Sequence, residues 1–271
     1  MSADRAATTT INGRPATVDD MRPLATGNYG HFTLMQMREG GVRGFHLHLE
    51  RLDHGSRTLF GQGIDRALVT AHVRAATAWV AEATIRVNVF TAMSIRGPVP
   101  GAPLDIMVNV TPPVAPDFRP MRVKSLPYRR DLPQVKHVGG FGLVVQRRLA
   151  QAGGFDDALF VDAAGEISEG SIWNIGFHDG SRIVWPSAPA LEGITMLLLR
   201  RGFDRQGIPW EVAPVTPADL PRFRSAFLCN SIAAGQPIAA IDGHGFAVDP
   251  DFTALLQACE ATNPWVPVGG A

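Results

Sequence analysis

The chain has 271 residues, 45% hydrophobic and 18% charged, a balance that suits a core-forming globular protein of one large or two smaller domains. Lysine plus arginine and aspartate plus glutamate number 25 each, so the formal net charge is zero; no overall field draws the chain to nucleic acid or a membrane surface, and an anion site has to be built locally. Cys229 and Cys259 make no disulfide framework and lack zinc-ligand spacing, and neither a signal-peptide core nor a membrane-length apolar run is visible, so a soluble, cytoplasmic protein is expected.

In chain order, residues 1–10 read as a frayed end. Ile11–Arg14 reads as a short strand turning at Asn12-Gly13, which is hairpin chemistry. His31–Met37 is a predicted strand, turning at Glu39-Gly40-Gly41 into Val42–Phe45. Leu47, Leu52, Leu59 and Phe60 give helical spacing over 46–60. A second helix is predicted over 65–82, with Leu68, Val69, Val73, Ala76 and Val80 on one face. Ile85–Ala92 and Leu104–Val110 read as strands. Thr111–Pro116 is crowded with proline, which removes amide donors and fixes the backbone, so a domain boundary is expected there. Residues 1–115 then form one domain and 116–271 the other.

In the second part a strand is predicted at Met121–Leu126 and a helix over 138–152. Short strands follow at Ala158–Val161, Glu166–Ile167, Ile172–Phe177 and Arg182–Trp185. A helix is predicted from Gly193 to Gln206. Strands at Trp210–Val212, Ser225–Cys229 and Pro237–Ile241 precede a short helix over 251–258. Mixed strands and helices in two lobes indicate a mixed α/β, or α+β, fold.

Several residues invite a chemical reading, each with an ordinary alternative beside it. Lys136, one of two lysines in the chain, is flanked by apolar residues and placed at a helix start. Desolvation there would free its amine for a Schiff base; otherwise it is a surface lysine. Glu169 could pair with a protonated ring nitrogen or could face water in a hairpin. Asn174 holds a neighbour or closes a turn. Gly193-Ile194-Thr195 opens an apolar helix, where free amides favour an anion or serve as a simple cap. The Cys229–Gly235 loop presents amides and hydroxyls or merely connects strands. Arg51 clamps a phosphate or lies exposed on its helix. His46, His48 and His54 invite a metal reading, but His46 and His48 point to different faces of a helix, and no cysteine or acid cluster completes a site.

The order and spacing of these pieces are more telling than any one of them. His48-Leu49-Glu50-Arg51-Leu52, Lys136, the Asp157–Asp162 strand leading to Gly165, Glu169–Asn174, Leu191–Thr195 and Cys229-Asn230-Ser231 together resemble the class IV aminotransferases. These are the fold type IV pyridoxal-phosphate enzymes, among them branched-chain and D-amino acid aminotransferases and aminodeoxychorismate lyases. The resemblance runs from about Ile11 to Ile241.

It implies a small α/β N-terminal lobe, a larger barrel-like C-terminal lobe, a cofactor held between them and a homodimer. It implies pyridoxal 5′-phosphate joined to Lys136, whose amine also moves the substrate Cα proton. Glu169 would pair with the pyridine nitrogen. Arg51, Ile194, Thr195, Ser231 and Ile232 would hold the phosphate. The activity implied is transamination between an amino donor and a keto acid acceptor, with a lyase as the alternative and a diverged, non-catalytic scaffold as a second. Departures from the family pattern bear on substrate. Gly27-Asn28-Tyr29-Gly30-His31-Phe32-Thr33 lacks the acids common there. Thr91-Ala92-Met93 stands where many members have Thr-Arg-Gly, whose arginine binds a substrate carboxylate. Gly139-Gly140-Phe141 replaces the frequent Asn-Tyr. Thr33 and the Cys229-Asn230-Ser231 run lean towards the lyase branch.

Overall fold

A computed structural model of the chain describes residues 7–269. These divide into two compact units. The first comprises the described residues through Ala115, the segment Val135–Gly139 and the described residues from Pro264; the second comprises Pro116–Gln134 and Gly140–Asn263.

In the first unit β1 (Thr8–Ile11) turns at Asn12-Gly13, both at positive φ, into β2 (Arg14–Pro15). Thr8–Thr10 are therefore strand rather than a frayed end, because these β-branched residues pair antiparallel with Val108–Val110. Residues 1–6 lie outside the described ones. Helix α1 (Val18–Gly27) has no counterpart in the sequence reading: it contains Pro23 and buries no residue fully, although Met21 and Leu24 pack partly buried on Ile11, Phe90 and Met107. A Thr17–Asp20 capping box starts it.

The chain continues through β3 (His31–Arg38), β4 (Gly41–Val42), α2 (Phe45–Phe60) and α3 (Arg66–Thr77). Phe45 thus opens a helix instead of closing a strand. Helix α3 stops before Ala78, short of the predicted 82, and Leu68 is exposed while Val69, Val73 and Ala76 are buried. Strands β5 (Ala83–Thr91), β6 (Met93–Ser94), β7 (Gly97–Pro98) and β8 (Leu104–Thr111) follow. The β3–β5–β8 antiparallel core buries Met35, Ile85, Val87, Val89 and Val108, and α2 and α3 cover it with Leu52, Val69 and Val73.

The second unit begins with β9 (Met121–Pro127), α4 (Phe141–Ala152), β10 (Asp157–Val161), β11 (Ile167–Gly170), β12 (Asn174–His178) and β13 (Ile183–Pro186). It continues with α5 (Ile194–Gln206), β14 (Trp210–Ala213), a 3₁₀ turn at Pro217–Arg222, β15 (Ser225–Cys229), β16 (Ala234–Ile241), β17 (His244–Gly245) and α6 (Pro250–Ala261). The last strand, β18 (Val266–Pro267), belongs to the first unit and pairs with β4.

Strands β11, β10, β9, β16, β15 and β12 pair in that order, and β12 also pairs with β11, which closes a ring. The closing contact is one residue pair, Glu169 opposite Asn174. Further along the same edge, β12 pairs with β13 at Phe177–His178. Val123, Leu159, Ile167, Ile175, Phe177, Leu228 and Ile238 are buried together as the unit's main core. A second cluster, with Trp185, Leu199, Phe203, Phe227 and Leu256, seats α5 and α6. Ile172, predicted to lie on a strand with Asn174, sits instead in an exposed bend. Among the described residues no helix is long and apolar enough to cross a membrane.

Candidate active site

Lys136 does not open a helix, because α4 starts only at Phe141. Its segment is extended and clipped to the start of β3: the Phe32 amide donates to the Lys136 carbonyl at 2.9 Å, and the Val138 amide to the Gly30 carbonyl at 2.9 Å. His31 and His137 form an isolated antiparallel bridge. The half-buried Lys136 places Nζ 5.0 Å from the Phe32 ring centroid, and the Arg86 guanidinium lies 3.7 Å from the same centroid.

Arg51 lies half-buried on α2, one turn from His48. The His48 ring is buried, and its Nδ1 shares a 2.6 Å hydrogen bond with Thr33 Oγ1. Burial first, and then the charges of Arg51, His46 and Lys136, hold His48 well below the usual imidazole range. The first unit therefore gathers Lys136 and Arg51 around a neutral imidazole, an arrangement that favours an anion. The Thr33–His48 pair went unrecognised in sequence because nothing local links a strand threonine to a helix histidine 15 positions on.

In the second unit Glu169 is buried at the closing pair of the ring. Its Oε1 lies 3.5 Å from Arg130 Nη1, and its Oε2 accepts from the Leu191 amide at 3.3 Å. Asn174 donates from Nδ2 to the Leu191 carbonyl at 2.7 Å, so Leu191 is clamped at both backbone ends. Each carboxylate oxygen has a further lone pair for a ring N–H. Arg130, also buried, is a partner the sequence did not suggest, since Arg129-Arg130-Asp131 looks like any polar loop.

Gly193 is the N-cap of α5, and no side chain caps the helix. A Cβ there would come 2.0 Å from Asn174 Oδ1, so the backbone passes where only glycine fits. The first amides of such a helix have no partner within it and carry the positive end of its dipole. Thr195 Oγ1 donates to the Asn230 carbonyl at 2.7 Å, tying the helix start to the 230–233 loop. In that loop Asn230 Oδ1 accepts from the amides of Ile232 at 2.8 Å and Ala233 at 3.0 Å. The Ile232 amide is thus engaged inside the loop and shapes it, while Ser231 is half-buried at its tip. The nearby Cys229 thiol is pushed up by burial. Ser171, two residues past Glu169, has a buried hydroxyl with no protein partner.

The second unit therefore offers a fixed buried carboxylate and an uncapped helix start tied to a polar loop; the first offers an amine beside an arginine. Lys136 and Arg51 fall in one unit, and Glu169, Ile194, Thr195, Ser231 and Ile232 in the other. These donor sets fit a phosphorylated pyridine aldehyde: an amine for the carbonyl, an acid for the ring nitrogen, and helix-start amides for the phosphate.

The family model for class IV amino-transferases matches residues 30–241, and the chain belongs to that family. No curated protein matches it. Among solved structures it resembles a fold IV transaminase from Curtobacterium pusillum, with a TM-score of 0.77 and 23% identity over 94% of this chain and 99% of that one. A 4-amino-4-deoxychorismate lyase from Pseudomonas aeruginosa gives a TM-score of 0.78 and 25% identity, over 92% and 96%. The pyridoxal-phosphate-bound form of a hypothetical aminotransferase from Mycobacterium tuberculosis gives 0.79 and 20%, over 96% and 100%. The fold is that of the fold type IV enzymes.

Proposed function

We propose that this chain is a cytoplasmic, homodimeric, pyridoxal-phosphate-dependent aminotransferase that moves an amino group from an amino acid or amine to a keto acid. The observation that carries the reading is the buried Glu169 carboxylate, held by the Leu191 amide and Arg130 at the closing pair of the barrel. Membership of a family whose enzymes use this cofactor supports it.

When bound, the cofactor supplies a carbonyl that joins an amine and a ring that accepts the electron pair released at the substrate α carbon. Lys136 Nζ would hold it covalently and, once released, carry the proton at the substrate Cα. Glu169 would keep a proton on the ring nitrogen and so keep the ring electron-accepting. Arg51, the Ile194 amide, Thr195 and Ser231 would bind the phosphate, with Ile232 shaping the loop.

The test is a visible spectrum of the purified protein before and after borohydride, followed by peptide mass mapping and a panel of amino donors. A yellow protein fixed at Lys136 by reduction, and bleached to its pyridoxamine form by a donor alone, is the expected outcome. A colourless protein that takes up no added pyridoxal phosphate overturns it. Lys136→Ala should abolish turnover, whereas Glu169→Ala should retain cofactor and lose at least tenfold in kcat; unchanged rates would remove Glu169 from its role.

A lyase is the second reading, supported by the likeness to the 4-amino-4-deoxychorismate lyase from Pseudomonas aeruginosa. A lyase would turn over its substrate without converting the cofactor to the pyridoxamine form, so the same donor panel separates the two.

A further inference from the structure

Arg86 is the one basic residue of β5, and the strand sets it beside the amine of the candidate site. The β3–β5 register places Phe32 opposite Asn88 and Leu34 opposite Arg86. Side chains alternate along a strand, so these four share one face of the sheet, while Met35, Ile85 and Val87 turn to the core under α2 and α3. The Arg86 guanidinium lies 3.7 Å from the Phe32 ring centroid, and Lys136 Nζ lies 5.0 Å from the same centroid. Two cations therefore gather at one aromatic ring.

The Arg86 side chain is half-buried. Its Nε donates to Asn88 Oδ1 at 2.9 Å. Among the described residues its two terminal nitrogens meet no acceptor, and neither is closed off from solvent. No acid offsets the cost of its burial, which alone holds the guanidinium below its ordinary range. Stacking on Phe32 recovers part of that cost but occupies only the flat of the fork. The outer edge keeps parallel N–H donors, the pattern that grips a carboxylate at two points. An anion there would also relieve the repulsion between Arg86 and Lys136.

We propose that Arg86 binds the carboxylate of the substrate, so that the donors and acceptors of this enzyme are amino and keto acids and not simple amines. The proposal rests on the aminotransferase reading, which brings the substrate amine to Lys136. In an α-amino acid a single carbon separates the amine from the carboxylate, so the ring that both cations approach lies within that carboxylate's reach. Ala92 offers no charge just beyond the end of β5, and Arg86 supplies one from within the strand.

The experiment is a calorimetric titration of the purified full chain with 2-oxobutanoate and with its neutral amide, the visible spectrum being read on the same samples. The wild type should bind the acid at least tenfold more tightly than the amide. Arg86→Met should bring the two to parity by weakening the acid, and Arg86→Lys should restore part of the preference. Equal binding of acid and amide by the wild type would overturn the proposal, whether or not Arg86→Met folds. So would a preference that survives Arg86→Met in full; either result leaves Arg86 a stacked, hydrated strand cation. A colourless protein that prefers the acid through Arg86 keeps this contact and loses the aminotransferase reading, and a yellow protein without the preference does the reverse.

Discussion

His31 and His48 are the two deeply buried imidazoles of the first unit, and burial keeps both neutral. His31 shares a 2.9 Å hydrogen bond with Ser56 through Nε2, and its pKa is lowered to about 4, chiefly by burial and then by the charge of His54. The unfolded chain protonates the same ring near pH 6.5, so the unfolded state binds more protons between these values. Stability present at neutral pH is therefore lost as pH falls below 6.5, and the loss levels off near pH 4. For His31 alone the ceiling is about 3 kcal/mol, since each tenfold difference in proton affinity between the two states is worth about 1.4 kcal/mol. Urea unfolding at pH 7 and pH 5 should show a clear fall in the wild type and a smaller one in His31→Gln. Parallel losses in both would place the acid sensitivity elsewhere.

At the scale of elements, the start and the far end of α5 are both shaped by close approach. The start at Gly193 serves the candidate site; the end at Gly202 serves packing. A Cβ on Gly202 would come 2.2 Å from the Cys259 carbonyl oxygen of α6. Alanine in a helix interior ordinarily gains about 1 kcal/mol over glycine. Forced overlap with a neighbouring backbone costs about 1–3 kcal/mol, so the clash should win. Gly202→Ala is expected to lower the denaturant midpoint with the slope unchanged; a raised midpoint would mean that α6 yields freely.

The same helix shows what was legible in sequence. Its apolar run and the leading Gly-Ile-Thr were plain, and its bounds differ from the prediction by one residue. By contrast, α1 is short, carries Pro23 and sets only Val18, Met21 and Leu24 at helical spacing, so its pattern reads as a loop interrupted by proline. Lys136, flanked by apolar residues, reads in sequence as the opening of the helix predicted over 138–152. The long-range clip to Gly30 and Phe32, which keeps the segment extended, leaves no local trace.

At the scale of the molecule, the ring of the second unit was only coarsely legible. The individual strands were readable from their apolar runs and turns. Their closure depends on parallel pairings of β9 with β10 and with β16, and on the single Glu169–Asn174 contact. Such long-range partners have no signature in one sequence. Glu169, a residue that looks like a hairpin acid facing water, is buried because the ring closes on it. The first unit likewise depends on distant chain: β18 covers the edge of β4, and the Arg43 guanidinium lies 4.3 Å from the Trp265 ring centroid. Removing the residues from Pro264 onward should lower the melting temperature and promote aggregation through the bared edge. Light scattering during a thermal ramp would detect it, and an unchanged melt would show that the strap adds nothing.

That strap also has a consequence in time. A ribosome releases this chain from its N-terminus, yet the unit begun first receives Val135–Gly139 only after β9 has emerged, and β18 last of all. The sheet that starts earliest thus finishes latest. Until then the short edge at Gly41–Val42 stays open to any strand nearby, so the newborn protein is most in need of a chaperone at its oldest part.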